Sequence, residues 1–304
     1  MVSCLSEISD LASLEGPVNL AVGIFDGVHR GHAAVMAAVS GQPGTPVVMT
    51  FEPHPTNVLT GKKAPGRITS LDHKRHLLGR VGVECLLVVE FNQRRASQEA
   101  VDFVNEIAGS CRLGCVAVGE GFRFGKDRKG DITLLGEIGT DLGFEVVGVK
   151  PVCDSSGEII SSTRVRAALD AGDIDRVGDL LGRDYSLFGV VENGRRLGRE
   201  LGFPTANIPL NAEQVLPNGV YAVGVDLEGE YIEGVANLGT RPTVDKEKSM
   251  PMLEVHLFNF ERDIYGRRLE VFFKSHIRDE RAFESVDALR DQIGRDVEVA
   301  KSLT

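Results

Sequence analysis

The chain predicts an α/β protein in two parts, a doubly wound parallel sheet with helices followed by a small antiparallel barrel with a terminal helix. Three observations predict it. From Asn19 to Lys150 short apolar runs alternate with helical stretches, the rhythm of a parallel sheet flanked by helices. From about Gly182 to Leu187 onward, apolar runs follow one another with no long helix between them, which implies antiparallel strands joined by turns. At 304 residues, 42% hydrophobic and 26% charged, the chain is long enough for two cores and has ordinary globular composition. The break in rhythm divides it into residues 1–183 and 184–304.

In the first part the spacing predicts strands over Leu20 to Phe25, Val47 to Phe51, Cys85 to Glu90, Cys115 to Val118 and Phe144 to Val149. Between them, Gln98 to Ala108 is a predicted helix with Ala100, Val101, Val104, Ile107 and Ala108 on one apolar face. After Ser161 two further helices are expected, capped by Ser162 or Thr163 and separated at Gly172-Asp173. Predicted strands then follow at Leu187 to Glu192, Gly219 to Asp226, Tyr231 to Asn237, Leu253 to Phe258 and Leu269 to Ile277. A last helix over Ala282 to Ile293 carries Phe283, Val286, Leu289 and Ile293 at helical spacing and is expected to pack on the barrel.

The net charge of −10 divides evenly between the parts, which argues against a nucleic-acid partner, because binding a phosphate backbone needs a basic face. Residues Met1 to Gly16 show no basic segment followed by an apolar one, and no stretch reaches 18 uninterrupted apolar residues, so a cytoplasmic protein with no membrane partner is expected. Five scattered cysteines, Cys4, Cys85, Cys111, Cys115 and Cys153, fit reduced thiols better than a disulfide framework.

Directly after the first predicted strand comes Gly23-Ile24-Phe25-Asp26-Gly27-Val28-His29-Arg30-Gly31-His32, leading into a helix rich in Ala and Val. Open α/β sheets bind ligands beyond the carboxyl ends of their strands, and a helix N-terminus offers free N–H groups to phosphate. Two histidines three apart can face the phosphates of one nucleotide, and Gly27 and Gly31 let the backbone come close. The alternative of a polar turn is disfavoured because strand, glycines and helix occur in the required order. The segment resembles the His-x-Gly-His nucleotidyltransferases. It is more closely similar to the adenylyltransferase half of the prokaryotic bifunctional riboflavin kinase/FAD synthetases, through Thr50-Phe51-Glu52-Pro53-His54-Pro55, Gly119-Glu120-Gly121-Phe122-Arg123-Phe124-Gly125 and Ile160-Ser161-Ser162-Thr163-Arg164-Val165-Arg166.

That resemblance implies a Rossmann-like nucleotidyltransferase domain in which Gly23, Phe25, Asp26, Gly27, His29, His32, Ser162, Thr163, Arg164 and Arg166 bind ATP. It assigns FMN to His54, Pro55, Phe122, Arg123 and Phe124. His29 and His32 are the implied catalytic pair, and the basic run Arg123, Lys126, Arg128 and Lys129 is read either as a screen for the incoming phosphate or as a solvated loop. The chain departs from the family at Gly121, where Asp or Asn is usual.

The second part holds Gly194-Arg195-Arg196-Leu197-Gly198-Arg199-Glu200-Leu201-Gly202-Phe203-Pro204-Thr205-Ala206-Asn207, a glycine-rich loop that is not a Walker A sequence. With Gly219-Val220-Tyr221, Asn237-Leu238-Gly239-Thr240-Arg241-Pro242-Thr243, Leu253-Glu254-Val255-His256 and Tyr265-Gly266 it resembles the riboflavin kinase domain, so both halves point to the bifunctional family. Alternation puts Leu253, Val255 and Leu257 on one face and Glu254, His256 and Phe258 on the other, and a glutamate in an apolar run is costly to bury without a partner or a task. The resemblance implies that Glu254 is the base for the ribityl hydroxyl and that Thr205 and Asn207 hold Mg²⁺, with ATP as co-substrate. It assigns nucleotide or flavin to Gly198, Gly202, Pro204, Thr205, Asn207, Asn237, Arg241, Pro242 and Thr243. The expected function is phosphorylation of riboflavin to FMN followed by adenylylation of FMN to FAD. Activity in the kinase half alone, a catalytically silent flavin sensor, and a nucleotidyltransferase for another phosphate stay open at this point.

Overall fold

Each apolar run predicted as a strand between Asn19 and Lys150 corresponds to one in the structure, a computed structural model. It describes all residues except Met1, Lys63, Arg195, Arg196, 211–216, 243–248 and Thr304, and the backbone alone at Leu197, Arg241, Pro242, Ser249 and Met250. The chain divides into two compact units, Met1–Pro65 with Lys74–Ser161, and Gly66–His73 with Ser162–Thr304.

The first unit contains the strands β1 (Ser3–Leu5), β2 (Val18–Val22), β3 (Thr45–Glu52), β4 (Cys85–Glu90), β5 (Leu113–Gly119) and β6 (Glu145–Val149). They form one parallel sheet in the order β1-β4-β3-β2-β5-β6. The chain winds outward from β2 in one direction and from β5 in the other, so the switch point of the topology lies between these two strands. The helices are α1 (Arg30–Ser40), α2 (Pro55–Thr60), α3 (Leu71–Arg80), α4 (Gln93–Ala96), α5 (Ala100–Ser110) and α6 (Ile132–Leu142).

Three details differ from expectation. The predicted strand Leu20 to Phe25 ends at Val22, because the chain turns there and Phe25 takes a left-handed φ of 51°. β1 escapes prediction because three residues are too few for an alternation to show. In α5 the core face is Ala100, Phe103, Val104 and Ile107, the i, i+3, i+4, i+7 series, which turns Val101 out to solvent.

The second unit begins with α7 (Ser162–Asp170) and α8 (Ile174–Leu181), separated where predicted: Gly172 has φ 69° and the Asp173 side chain caps α8 by accepting from the Arg176 N–H. Because α7 starts at Ser162, Ser162 and Thr163 lie within its first turn rather than at its cap. There follow β7 (Ser186–Val190), α9 (Leu197–Glu200), β8 (Ala206–Pro209), β9 (Gly219–Leu227), β10 (Glu230–Pro242), β11 (Ser249–Leu257), β12 (Arg268–Arg278) and α10 (Val286–Leu303).

The strands of this unit pair antiparallel in the order β7-β12-β9-β10-β11-β8. A bridge from the Glu192 N–H to the Asn207 carbonyl, 2.8 Å, joins the chain after β7 back to β8 and brings the sheet close to a barrel. Tyr221, Val223, Val225, Leu253, Val255 and Phe273 are buried, and the opposite face, with Val220, Ala222, Val235 and Phe258, packs on Val297 and Ala300 of α10. The predicted terminal helix begins later and runs longer than the apolar spacing suggested; Val286 is exposed, Ile293 packs on the barrel as expected, and Val297 and Ala300 extend the packing.

One polar cluster is sealed inside this unit. Ser186 Oγ donates to Glu270 Oε1 at 2.8 Å and lies 3.2 Å from His73 Nε2, which is itself 3.5 Å from the same carboxylate; all three residues are at most 2% exposed. The cluster ties the Gly66–His73 segment to β7 and β12. Replacing Glu270 with Leu takes away a buried charge-assisted acceptor, which should cost about 3 kcal/mol and lower the melting temperature of this unit by roughly 6 to 12 °C. Ser186→Ala should cost nearer 1 kcal/mol, and an unchanged melting curve for Glu270→Leu would show that the cluster does not hold the segment.

All five cysteines are free thiols. Burial pushes Cys111 and Cys115 up to about 11, whereas Cys4 and Cys153 are exposed. A thiol reagent at pH 8 should therefore modify Cys4 and Cys153 first, with Cys111 and Cys115 gaining reactivity only as pH approaches 11.

Candidate functional site

In the barrel, β-pairing decides which side chains meet. Glu254 of β11 is paired with Asn237 of β10 on one side and with Asn207 of β8 on the other, and Asn237 is paired in turn with Val220 of β9. Paired residues share a face, so Asn207, Glu254, Asn237 and Val220 form one row across four strands. Leu253 and Val255 are fully buried on the opposite face, as the alternation predicts. The row lines a cavity of about 720 Å³, together with Phe203, Thr205, His256, Arg278 and Phe283. A second cavity of about 500 Å³, lined by Gly194, Arg199, Val255, Leu257, Phe260 and Tyr265, shares Thr205 and Asn207 with the first. These two residues therefore stand between two spaces that could each admit a reactant.

The glycines of this loop are explained by contact. A Cβ on Gly194 would stand 2.4 Å from Asn207 Nδ2, and one on Gly198 would stand 2.5 Å from the Phe203 carbonyl oxygen and 3.2 Å from Thr205 Oγ1. Gly202 has φ 88°, a conformation that turns the chain from α9 into Phe203-Pro204. Asn207 Nδ2 donates to the Thr205 carbonyl at 3.2 Å, and the Phe203 N–H donates to the Gly198 carbonyl at 2.7 Å. The structure thus brings Gly198, Gly202, Pro204, Thr205 and Asn207 together in one loop and strand, with Asn237 across the sheet. Arg241 and Pro242 end β10, and Thr243 lies outside the described residues.

A network that the sequence did not reveal frames the cavity. Arg278 grips the buried Asp296 with Nε and Nη2 at 2.8 to 3.0 Å, and Gln292 Nε2 donates to the same carboxylate at 2.7 Å. Arg278 and Arg281 also lie over the Phe283 ring at 5.6 and 5.1 Å, which fixes that aromatic side chain at the cavity's rim.

In the first unit the loop after β2 is held in a strained shape, with left-handed φ at Phe25 (51°), Gly27 (84°) and Val28 (43°). The Phe25 ring lies over Gly23, where a Cβ would come within 2.9 Å of it. His29 caps α1: its Nδ1 accepts from the His32 N–H at 3.3 Å, and the two imidazoles stack with centroids 3.5 Å apart. Phe25 meets the edge of His32 at 5.2 Å. Because His29 Nδ1 accepts, the proton of a neutral His29 sits on Nε2, which makes that nitrogen a donor. Asp26 and His29 are nearly fully buried.

His54 caps α2 by accepting from the Thr56 N–H, with Pro55 at the helix start. Phe122 is half-buried and stacks on Phe124 at 5.5 Å; Phe124 itself belongs to the core with Phe103. Arg123 is exposed and 4.0 Å from Asp131. Lys126 and Lys129 pair with Glu99 and Asp127, so the basic run carries partly balanced charge. Ser162, Thr163, Arg164 and Arg166 occupy the start of α7, in the other unit, where Arg166 donates to the Gly66 carbonyl.

Family comparison assigns both parts. Residues 181–304 match the riboflavin kinase model and residues 12–164 the FAD synthetase model. A bifunctional riboflavin kinase/FMN adenylyltransferase of Escherichia coli strain K12 is 42% identical over 94% of this chain and 92% of its own, and that of Pseudomonas fluorescens is 42% identical over 93% and 91%. The chain belongs to this family. A crystal structure described as a macrolide-efflux protein from Streptococcus pneumoniae, 30% identical, superposes over the whole of both chains with a TM-score of 0.81. Among the described residues no helix is long and apolar enough to cross a membrane.

Within the flavin kinase/adenylyltransferase family, two features of this chain follow from its geometry. Gly121 is exposed and a Cβ there would meet nothing within 4 Å, so the acid or amide usual at this position has room. Lys74, absent from the motif analysis, is buried and donates from Nζ to the Ile24 carbonyl at 2.7 Å and to Thr50 Oγ1 at 3.4 Å, bracing the strained loop. A signal for it exists, since Lys74 falls on the same stripe of α3 as Leu71, Leu77 and Leu78 and so places a charge on an apolar face.

The tight contact at Gly194 yields a test. Gly194→Ala drives a methyl into the Asn207 amide, so riboflavin phosphorylation should fall by at least about tenfold while adenylylation of FMN stays within twofold of the parent. Separate assays with riboflavin and with supplied FMN read the two activities; equal phosphorylation in variant and parent would show that Asn207 has room to move.

Proposed function

We propose that each activity of this chain resides in one of its two motif-bearing parts: the barrel transfers the γ-phosphoryl group of ATP to riboflavin, and the parallel-sheet part transfers the AMP group of a second ATP to the FMN so formed. The chain is an ATP-dependent riboflavin kinase and FMN adenylyltransferase. The observation that carries the kinase assignment is the row Asn207, Glu254, Asn237, which presents a carboxylate beside Thr205 where two cavities meet.

In the first reaction the terminal ribityl hydroxyl attacks the γ-phosphorus. Glu254 takes the hydroxyl proton, the bond from that phosphorus to the β–γ bridging oxygen breaks, and ADP leaves. Thr205 and Asn207 fit Mg²⁺, because both offer hard neutral oxygens and the ion is shared with substrate phosphates rather than caged by protein. Among the described residues no group of three His, Cys, Asp or Glu side chains offers the alternative of an all-protein metal cage. Bound Mg²⁺ supplies charge neutralisation at the phosphates. Phe283, held by Arg278 and Arg281, is placed to cover the flavin ring.

In the second reaction an FMN phosphate oxygen attacks the α-phosphorus of ATP and pyrophosphate departs. The nucleophile is already anionic, so the site needs alignment and stabilisation of charge rather than a base. His29 offers Nε2–H to the phosphates, with His32 stacked beside it and the loop Gly23 to Gly27 shaping the approach. Phe122 is the ring presented to the flavin, with Phe124 supporting it from the core, Arg123 next to it on the same loop, and His54 at the carboxyl end of β3. The assignment of Ser162, Thr163, Arg164 and Arg166 to ATP rests on the motif alone. The cytoplasmic location expected from the sequence belongs to the same proposal.

Two variants separate the activities. Glu254→Gln keeps size and an acceptor but cannot hold the proton, so phosphorylation should fall by roughly 10²- to 10⁴-fold with riboflavin affinity nearly kept, and FAD formation from supplied FMN should continue. His29→Ala with His32→Ala should do the reverse. Chromatography of riboflavin, FMN and FAD reads both, and a glutamine variant within about threefold of the parent would remove Glu254 from the role of base.

A further inference from the structure

We propose that His256 is a positioning residue of the kinase site, which holds the Pro204-Thr205 turn against β11 by donating its Nδ1 proton to the Pro204 carbonyl. The proposal rests on the placement of the kinase activity in the barrel and goes beyond it.

A carbonyl oxygen only accepts, so the 2.8 Å contact between His256 Nδ1 and the Pro204 oxygen requires the proton on Nδ1. The ring is wedged between aromatics, edge-on to Phe203 at 5.5 Å and to Phe258 at 6.0 Å, so it has little freedom to release the carbonyl. Burial holds His256 below the usual histidine range, with Lys301 acting in the same direction and the Pro204 bond opposing both. The neutral Nδ1–H form therefore suffices to make the clamp, and protonation of Nε2 would leave the bond intact.

The clamp acts through the chain it holds. Phe203 is tied to α9 through the Gly198 carbonyl, Pro204 to β11 through His256, and the Thr205 carbonyl to the Asn207 side chain. The tie from His256 holds the turn to the strand that carries Glu254 just ahead of Ala206, where the β8–β11 pairing begins. Residues two apart on a strand share a face about 7 Å apart, so the proposed base and the clamp move as one piece. The β8–β11 pairing sets Asn207 opposite Glu254, and the clamp extends that hold to the Pro204-Thr205 turn, which would otherwise be left to a glycine-rich loop. A misplacement of about 1 Å in reacting groups can cost up to ~10²-fold in rate.

The test compares His256→Asn, whose amide can occupy the place of Nδ1–H, with His256→Leu, which keeps bulk and loses the donor. The expected result is a phosphorylation kcat lowered about tenfold or more in His256→Leu and within about threefold of the parent in His256→Asn, with riboflavin KM little changed in either. Adenylylation of supplied FMN by the same protein should be unaffected. Nitrogen-15 spectra of histidine-labelled parent enzyme at pH 8 should show this ring protonated on Nδ1, an observation independent of activity.

A leucine variant as active as the parent, an asparagine variant as impaired as leucine, or a ring protonated on Nε2 would each overturn the proposal. If His256→Leu fails to fold by its melting curve, the asparagine variant and the tautomer decide. Failure of the underlying reading is distinguishable: Glu254→Gln with unaltered phosphorylation rejects the kinase site itself, whereas loss in Glu254→Gln with no loss in His256→Leu rejects only the clamp.

Discussion

Side chains alternate across a β-strand with a period of two, and in β11 this constraint organises the whole barrel site. Leu253, Val255 and Leu257 are buried, which leaves Glu254 and His256 to the other face. Antiparallel pairing then chooses their neighbours, Asn207 and Asn237 for Glu254. A slip of one residue would exchange the faces, burying the carboxylate and exposing three aliphatic side chains. Burying an ionised carboxylate without a partner is among the costliest changes a fold can undergo, so the residue proposed for catalysis also penalises the wrong register.

The parallel unit solves placement differently. Its motif loop lies beyond the carboxyl end of β2, beside the point where the sheet's winding reverses, and the loop adopts backbone angles that non-glycine residues avoid. Strain at Phe25 and Val28 costs on the order of 1 to 3 kcal/mol each. Bonds from Lys74 and Thr50 to the Ile24 carbonyl, and the cap of His29 on α1, offset it. The loop is therefore held in shape by side chains from α3 and β3, elements remote from it in sequence.

This contrast explains what the sequence made legible. Alternation within a strand is local, so the face of Glu254 and the break between α7 and α8 could be read directly. The glycines at 194 and 198 were visible as a pattern, but the reason for them, the Asn207 side chain and the Phe203 carbonyl standing where a Cβ would go, required the tertiary structure. Contacts between distant segments stayed hidden. In the Ser186–His73–Glu270 cluster Ser186 and His73 lie 113 residues apart, and Lys74 reaches back 50 residues to Ile24. The four-residue strand β8 was read only as a motif because it is too short to alternate, and the stripe of α10 that packs on the barrel continues past Ile293 to Val297 and Ala300, beside the polar anchor of Arg278, Gln292 and Asp296.

The two sites also differ as their chemistry demands. A ribityl hydroxyl is neutral and must lose a proton as it attacks, so a carboxylate positioned on a rigid strand is the fitting device, and the proposed assignment leaves the second cavity beside Thr205 and Asn207 for the polyphosphate. The FMN phosphate is already charged, and bringing it to a second polyanion creates repulsion that a carboxylate would only increase. Hydrogen-bond donors at a helix start, from His29 and backbone N–H groups, suit that problem because they favour negative charge and require no proton transfer. On the proposed assignment one chain uses ATP twice without sharing a site, since attack at the γ-phosphorus and attack at the α-phosphorus call for opposite electrostatics around the nucleophile.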